Sequence, residues 1–395
     1  MKEKDYNHSR IEKIQNEMQK QNLDALVVLK PQNSFYVSRF NPIIQSTPVI
    51  CIVPAKGEAM LLVSGLRAMH AKKDSWIQDI KVYGRSWLGL VPMAPGYVEA
   101  IAKILEENGW INGKIGMEKE YLSIKDYERI KQMMPGAELV DSSHLFLKSR
   151  LVKDDHEIQL LRTAAAIADQ GMEAAVQALK EGTTEQELTF RAQQAMNEMW
   201  LKSFPDIEVA GFASQEGSVK NELWSYCLSG PRWEMFCDSP TNRKIRSGDL
   251  VFIFTGGTCN GYHAENERTV GVGKLVDEQK KVFETVLKAR ERAQEKLRPG
   301  TLCSEVYHEA AEVFIKAGYG ETLPGRVGHG MGLGAHEEPS LGPNVELPLQ
   351  HGMVVSFEPS MRIGALGGTQ ISDTVLITSN GFEFLTKTDR GFLTA

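Results

Sequence analysis

The sequence predicts an α/β N-terminal domain over residues 1–153 plus an α+β domain over residues 154–395. Three observations carry this. A chain of 395 residues is long enough for about two separate cores. Its first part alternates short apolar runs with amphipathic stretches, the signature of an α/β layer. The remainder groups its strands and breaks them with a few long helices, which suggests an antiparallel or mixed sheet with helices packed on it.

In chain order, an amphipathic helix at about residues 6–21 leads into a strand at 25–29. Apolar runs follow at 49–53 and 60–63, with a turn at 54–57 between them. A helix near 98–107, a strand at 114–117, another helical stretch and a strand at 138–140 complete the first domain. The loop at 41–48 and the Gly/Pro-rich stretch at 87–97 read either as connecting loops or as covers for a neighbouring site. A boundary fits near 149–155. Beyond it an Ala- and Leu-rich helix covers about 155–179. Thr183 and Thr184 open a second helix, with Gln186 and Glu187 as capping-box partners. Two further helices are expected at about 277–297 and 303–317, the latter after Pro299-Gly300.

Composition narrows the function classes. Hydrophobic content of 42%, charge of 24% and a net charge of −6 are ordinary for a soluble protein. Lys and Arg form no cluster, which argues against nucleic acid as a partner. No apolar run reaches membrane-spanning length, and MKEKDYNHSRIEK is too polar for a signal peptide, so a membrane is not expected either. Five scattered cysteines without CxxC pairs fit reduced thiols in a cytoplasm.

Four segments hold the candidate chemistry. The hairpin LVFIFTGGTCNGYHAENERTV should run from an apolar first arm, loosened at Gly256 and Gly257, through a turn at Asn260-Gly261. On its second arm His263, Glu265 and Glu267 alternate onto one face. Such a row needs solvent, partner charges, a metal or a substrate, so it reads either as a solvated edge or as a site. In LSGPRWEMFCDSPTNRK, Cys237 lies between acidic neighbours and reads locally as an inert thiol. In GRVGHGMGLGAHEEP, dense glycines would let backbone approach a ligand beside His329 and His336. In HGMVVSFEPSM, Glu358 ends an apolar strand, where burial would raise its pKa for acid–base work. The plain alternative for Glu358 is an ion pair with Arg362 or Arg326.

GHGMGLGAHEEP, GMVVSFEP, the hairpin ending ENERT and the final ISDTVLIT together resemble the pita-bread family of methionine aminopeptidase, Xaa-Pro aminopeptidase, prolidase and creatinase. The N-terminal half resembles the creatinase-type N-terminal domain. The resemblance makes residues 154–395 an α+β pita-bread catalytic domain. It also implies a homodimer in which the 41–48 loop covers the partner's site. The family's dinuclear metal site uses two Asp, one His and two Glu. Placed residue by residue, these positions are Phe254, Glu265, His329, Glu358 and Ser372. An aromatic ring and a hydroxyl leave too few carboxylates to bridge two hard cations. One ion on Glu265, His329 and Glu358 stays chemically possible.

Creatinase and ectoine hydrolase, which the resemblance brings in as metal-free relatives, imply a different reading. Here Cys237 stands where the family has His, and Glu267 and Glu358 are kept. The leading expectation is a metal-independent hydrolase, without cofactor, of a C–N bond in a small cyclic amide, amidine or guanidino compound. In it Cys237 attacks or flanks the electrophilic carbon, and Glu267 and Glu358 hold a cationic group. His329 or His336 moves protons, while His263, Glu265, His336 and Phe254 contact substrate. The alternatives are an Xaa-Pro dipeptidase or aminopeptidase with an atypical one-metal site, and a non-catalytic binding protein on the same fold.

Overall fold

The computed structural model describes residues 3–42, 46–86, 89–212, 221–391 and 393–395. Residues 43–45 of the 41–48 loop, and Trp87 and Leu88 of the 87–97 stretch, lie outside the described residues. The chain forms two compact units, Met1–Arg150 with Gly211–Lys220, and Leu151–Ala210 with Asn221–Ala395.

The first unit contains α1 (Glu3–Lys20), β1 (Ala25–Val28), α2 (Pro31–Ser38), β2 (Ile50–Pro54), β3 (Met60–Ser64) and α3 (Ala68–Asp74). These are followed by β4 (Asp79–Tyr83), α4 (Tyr97–Glu107), β5 (Lys114–Met117), α5 (Ile124–Met133), β6 (Glu138–Asp141) and α6 (Ser143–Leu151). Its six strands make a mixed sheet in the order β4-β3-β2-β1-β5-β6. Helix α4 buries Val98, Ile101, Ile104 and Leu105 against Val27, Ile52, Leu62 and Ile115, the spacing of one helix face. Helix α2 is not visible in the sequence, because PQNSFYVS is buried almost all round and shows no amphipathic stripe. Its N-terminal end is held by the buried Glu118 carboxylate. That group accepts from the Lys30 N–H at 2.7 Å and from the Asn33 side chain, as expected for an acid at a helix N-terminus.

The second unit opens with α7 (Asp155–Ala178) and α8 (Glu185–Ser203). Both start on complete capping boxes, Asp154 with Glu157 and Thr184 with Glu187. Then come β7 (Trp224–Ser229), β8 (Leu250–Cys259), β9 (Tyr262–Gly271), α9 (Asp277–Gln294) and α10 (Cys303–Lys316). The chain ends through β10 (His329–Gly330), β11 (Glu337–Ser340), β12 (Val354–Phe357), β13 (Ser360–Arg362), β14 (Gly368–Gln370), β15 (Ser372–Ile377), β16 (Phe382–Phe384) and β17 (Leu393–Thr394). The main sheet runs β11-β10-β12-β15-β9-β8-β7 with antiparallel neighbours. Helices α9 and α10 bury Val282, Val286, Ala289, Val306, Ala310 and Phe314 in one core with Val355, Phe357 and Val375 of that sheet. Among the described residues no helix is long and apolar enough to cross a membrane.

The hairpin turns at Asn260-Gly261, both at positive φ, as a two-residue β-turn requires. The expected loosening at Gly256 and Gly257 does not occur, and β8 pairs with β9 through to Cys259. Gly257 serves packing instead. A Cβ there would lie 2.3 Å from the Ala164 carbonyl oxygen, so glycine lets α7 lie on the hairpin.

Candidate active site

Strand register builds the site. Tyr226 pairs with Phe254, Phe254 with Glu267, and Glu267 with Ser372 across four adjacent strands. Directly opposed residues share a face, so an aromatic pair, a carboxylate and a hydroxyl stand in one row. Glu265, two residues before Glu267, shares that face. Strands β10 and β12 bring His329 and Glu358 beside it. The predicted Phe254, Glu265, Glu267, His329 and Glu358, together with His336 and Cys237, line one cavity of about 750 Å³.

The geometry around His329 decides what the cavity can hold. Its Nδ1 lies 3.1 Å from the Gly330 carbonyl oxygen, which can only accept, so Nδ1 carries the hydrogen. Nε2 therefore presents a lone pair, and it lies 3.7 Å from both Glu265 Oε1 and Glu358 Oε1. Burial pushes the imidazole down to about 3. Burial also raises Glu265 to about 7 and Glu358 to about 8, the latter helped by the charge of Glu265. Glu267 is also raised, by burial and then by its two acidic neighbours. Three acceptors thus converge with no donor among them. That electrostatic hole is filled by protons on the carboxyls or by a cation.

The expectation that His329 shuttles protons near neutral pH is corrected by this burial. It stays neutral throughout the physiological range. His336 packs against it at a tilt, with ring centroids 4.3 Å apart. Its pKa is also lowered, by burial and then by Arg326, so it too is an imidazole rather than an imidazolium.

The donor set fits one ion and not two. Glu265, His329 and Glu358 offer ligand atoms all within 4.8 Å of one another, the mixed carboxylate–imidazole set that suits a divalent transition ion. Phe254 contributes only its ring, stacked on Tyr226 with centroids 4.8 Å apart and tilted on Trp224 at 4.3 Å. Ser372 spends its hydroxyl donating to Glu265 Oε1 at 3.0 Å.

His263 departs from expectation. It is absent from the cavity lining. Its Nε2 meets Glu222 Oε2 at 2.8 Å and its Nδ1 meets the Gly332 carbonyl at 3.2 Å, so it fastens the hairpin to the glycine-rich loop. Two glycines of that loop, Gly328 and Gly330, are also explained by packing. A Cβ on Gly328 or Gly330 would lie 2.2 Å from the Ser356 oxygen or 2.1 Å from the Glu338 oxygen. They admit neighbouring strands, not a ligand. Glu337 holds the far side of the loop, accepting from the Gly334 N–H at 2.7 Å and facing the buried Lys153 at 3.6 Å.

Cys237 is exposed at the cavity edge, its Sγ 3.2 Å from the Tyr226 hydroxyl. Phe236 before it adopts φ 62°, ψ −54°, a strained backbone for a bulky residue. Sequence reasoning missed Gln370, whose Nε2 donates to Glu267 and, at 3.4 Å, to Glu358 Oε2. It also gave Arg326 and Arg362 no role in binding. Arg326 Nε sits 3.7 Å from Glu358 Oε1. No local pattern marks Gln370; register alone places it.

Fold and site together define a two-unit hydrolase scaffold with a carboxylate–imidazole cavity in its second unit. The chain belongs to Metallopeptidase family M24, whose model matches residues 159–379, and residues 10–152 match the Creatinase/Prolidase N-terminal domain. It is 30% identical to the Xaa-Pro dipeptidase of Pyrococcus furiosus over 391 residues, covering 97% of this chain and 99% of that one. It is 29% identical to the creatinase of a Bacillus species over 304 residues, covering 74% and 70%. The solved Xaa-Pro dipeptidase from Bacillus anthracis superposes with a TM-score of 0.83 at 25% identity, covering 98% of this chain and all of that one.

Proposed function

We propose that the chain hydrolyses the C–N bond of a small dipeptide-like substrate at this cavity, with at most one divalent ion held by Glu265, His329 and Glu358. The observation that carries this is the convergence of three acceptors on one point, on a chain similar over nearly its whole length to Xaa-Pro dipeptidases. When bound, such an ion would polarise a carbonyl and lower the pKa of a water. The chain's own groups account for the rest. Glu358 and Glu265, with pKa values raised into the neutral range, accept a proton from an attacking water. Glu267, its pKa raised by burial and its acidic neighbours, is placed to deliver a proton to the departing nitrogen. Gln370 orients both Glu267 and Glu358. The Trp224–Tyr226–Phe254 wall excludes water and supplies apolar contact.

Metal content separates this from its rival. Elemental analysis after dialysis against Mn²⁺, Co²⁺ or Zn²⁺ is expected to give no more than one ion per chain, and Glu265→Gln should abolish it. Cleavage of Xaa-Pro dipeptides should fall in EDTA and return with the ion. Two ions per chain would overturn the one-ion site.

A second reading, the metal-independent hydrolysis of an amide or guanidino substrate, is favoured by Phe254 and Ser372 at two ligand positions. In it Cys237 attacks the electrophilic carbon or sits beside it while water attacks. Under the dipeptidase reading Cys237→Ala should cost less than about tenfold in kcat, because the acid–base groups that supply most of the effect remain. Loss of all turnover in that variant, with activity indifferent to EDTA, would favour the second reading. A small-molecule substrate is common to both, and a homodimer is proposed from the family resemblance alone.

A further inference from the structure

One indole supplies most of the open surface of the aromatic wall. Trp224 is 38% exposed, where Tyr226 and Phe254 are 8% and 6%, and all three line the cavity. Strand register seats it. Trp224 pairs with Gly256, and Gly256 pairs with Glu265. A Cβ on Gly256 would lie 2.7 Å from the indole Nε1 and 3.0 Å from the Phe254 ring, so the bare glycine is the seat on which the indole rests.

Other rings back this indole on one side only. The Phe254 centroid lies 4.3 Å from it and the Tyr226 centroid 5.8 Å. Those two rings are only 4.8 Å from each other, too close for them to lie on opposite faces of the indole. Among the described residues no further ring packs on Trp224. A large ring held from behind, with one face clear of other rings, gives up little freedom when a second ring stacks on it. The cavity has room for that ring. Its volume of about 750 Å³ falls within the range of roughly 300–1,000 Å³ that takes a drug-sized ligand.

Position relative to the acids decides which part of a substrate meets the indole. Trp224 stands level with Glu265, whereas Phe254 stands level with Glu267. The two levels are about 7 Å apart along the strand. Glu267 faces the departing nitrogen in the proposed mechanism, so the Trp224 level lies toward the residue that supplies the carbonyl. Two strand spacings, ~10 Å, separate the Trp224 and Glu265 backbones, and the indole leaning over Gly256 narrows that gap to the reach of a benzyl side chain. We infer that Trp224 sets specificity by stacking on a flat aromatic ring carried by the acyl residue of the substrate. This rests on the proposed reading of the cavity as a hydrolytic site and deepens it by naming that residue.

The test is calorimetric binding of phenylalanyl-proline and cyclohexylalanyl-proline to the full-length protein, with products quantified separately by chromatography. The saturated ring buries as much apolar surface but cannot stack, so the ratio of the two affinities isolates the ring face. Phenylalanyl-proline should bind about 2- to 12-fold tighter, the worth of one aromatic pair beyond its buried area. Trp224→Leu should bring the ratio to about one. Gly256→Ala keeps the indole but takes its seat, and should lower the ratio too. Glycyl-phenylalanine and glycyl-cyclohexylalanine, which carry the ring on the departing residue, should bind alike. Equal or tighter binding of cyclohexylalanyl-proline, a ratio unchanged in both variants, a phenyl preference confined to the departing residue, or no binding at millimolar concentration would overturn the inference. Phenyl-selective binding without product formation would sustain it while removing hydrolysis as the function; cleavage of both proline dipeptides with no phenyl preference would do the reverse.

Discussion

Glu358→Gln is expected to lower kcat/KM by about 10²- to 10⁴-fold, the span typical of losing a positioned general acid–base group, while the protein becomes harder to unfold at alkaline pH. Both effects come from one cause. In the folded chain the Glu358 carboxyl is raised to about 8 by burial and then by the neighbouring Glu265 charge. A carboxyl raised on folding binds its proton more tightly in the native state. Native stability is therefore highest near and below the unfolded value of ~4.3 and falls as pH rises toward about 8. Glutamine keeps the shape, can still meet Gln370 and Arg326, and carries no charge to bury. In metal-free protein the melting temperature of the variant should equal that of wild type near pH 4.5 and exceed it increasingly up to pH 8. Activity assays paired with melting curves across that range check both halves. A variant that stays active, or that loses stability in step with pH, would show that Glu358 is a structural ion-pair partner of Arg326 and not an acid–base group.

How much of this was legible beforehand follows from what each feature depends on. The hairpin, the two capping boxes and the α4 stripe are local patterns, and each is present within a few residues of where the sequence places it. Glu265, Glu267, His329 and Glu358 could be gathered because their motifs follow one another in a recognisable order, and the cavity does bring them together. Helix α2 was hidden because burial on all sides erases the periodicity that marks a helix. The partners of the acids were hidden for a different reason. Gln370 faces Glu267 and Tyr226 faces Phe254 only through strand register, which is a tertiary quantity. His263 shows the converse limit. Alternation put it in line with Glu265 and Glu267, but Glu222 and the Gly332 carbonyl draw its ring out of the cavity. Titration behaviour was the least legible, since an isolated imidazole near ~6.5 becomes one near 3 once buried.

Asp373→Asn should destabilise the second unit more than any change within the cavity. Asp373 is fully buried on β15, one residue beyond Ser372, and three arginines converge on it. Arg268 gives Oδ1 a hydrogen bond at 2.8 Å, Arg390 reaches both oxygens at 2.8 and 3.0 Å, and Arg290 and the Thr386 hydroxyl complete the shell. The same arginines fasten the backbone of the site. Arg268 also donates to the Glu267 and Ser372 carbonyls at 2.7 Å, and Arg290 to the Phe357 carbonyl at 2.6 Å. Burial alone would raise this carboxyl, but Arg268, Arg290 and Arg390 outweigh it and hold it at about 2. Asparagine leaves two buried cations, Arg268 and Arg290, and the half-buried Arg390 facing a neutral amide, and breaking a buried pair in this way costs ~3–5 kcal/mol. The urea midpoint of the second unit should drop accordingly. The sign of the pH dependence follows from the lowered pKa. The stabilisation is complete above the unfolded value of ~3.9 and is lost as pH falls through about 2, so the gap between wild type and variant should close between pH 4 and pH 2. Arg390→Met, which removes the most exposed of the three cations, should recover part of the loss in the double variant, because one fewer charge is then stranded. A variant that unfolds at the wild-type midpoint, or a gap that widens in acid, would mean that the arginines are held by their backbone carbonyls and that the carboxylate is incidental.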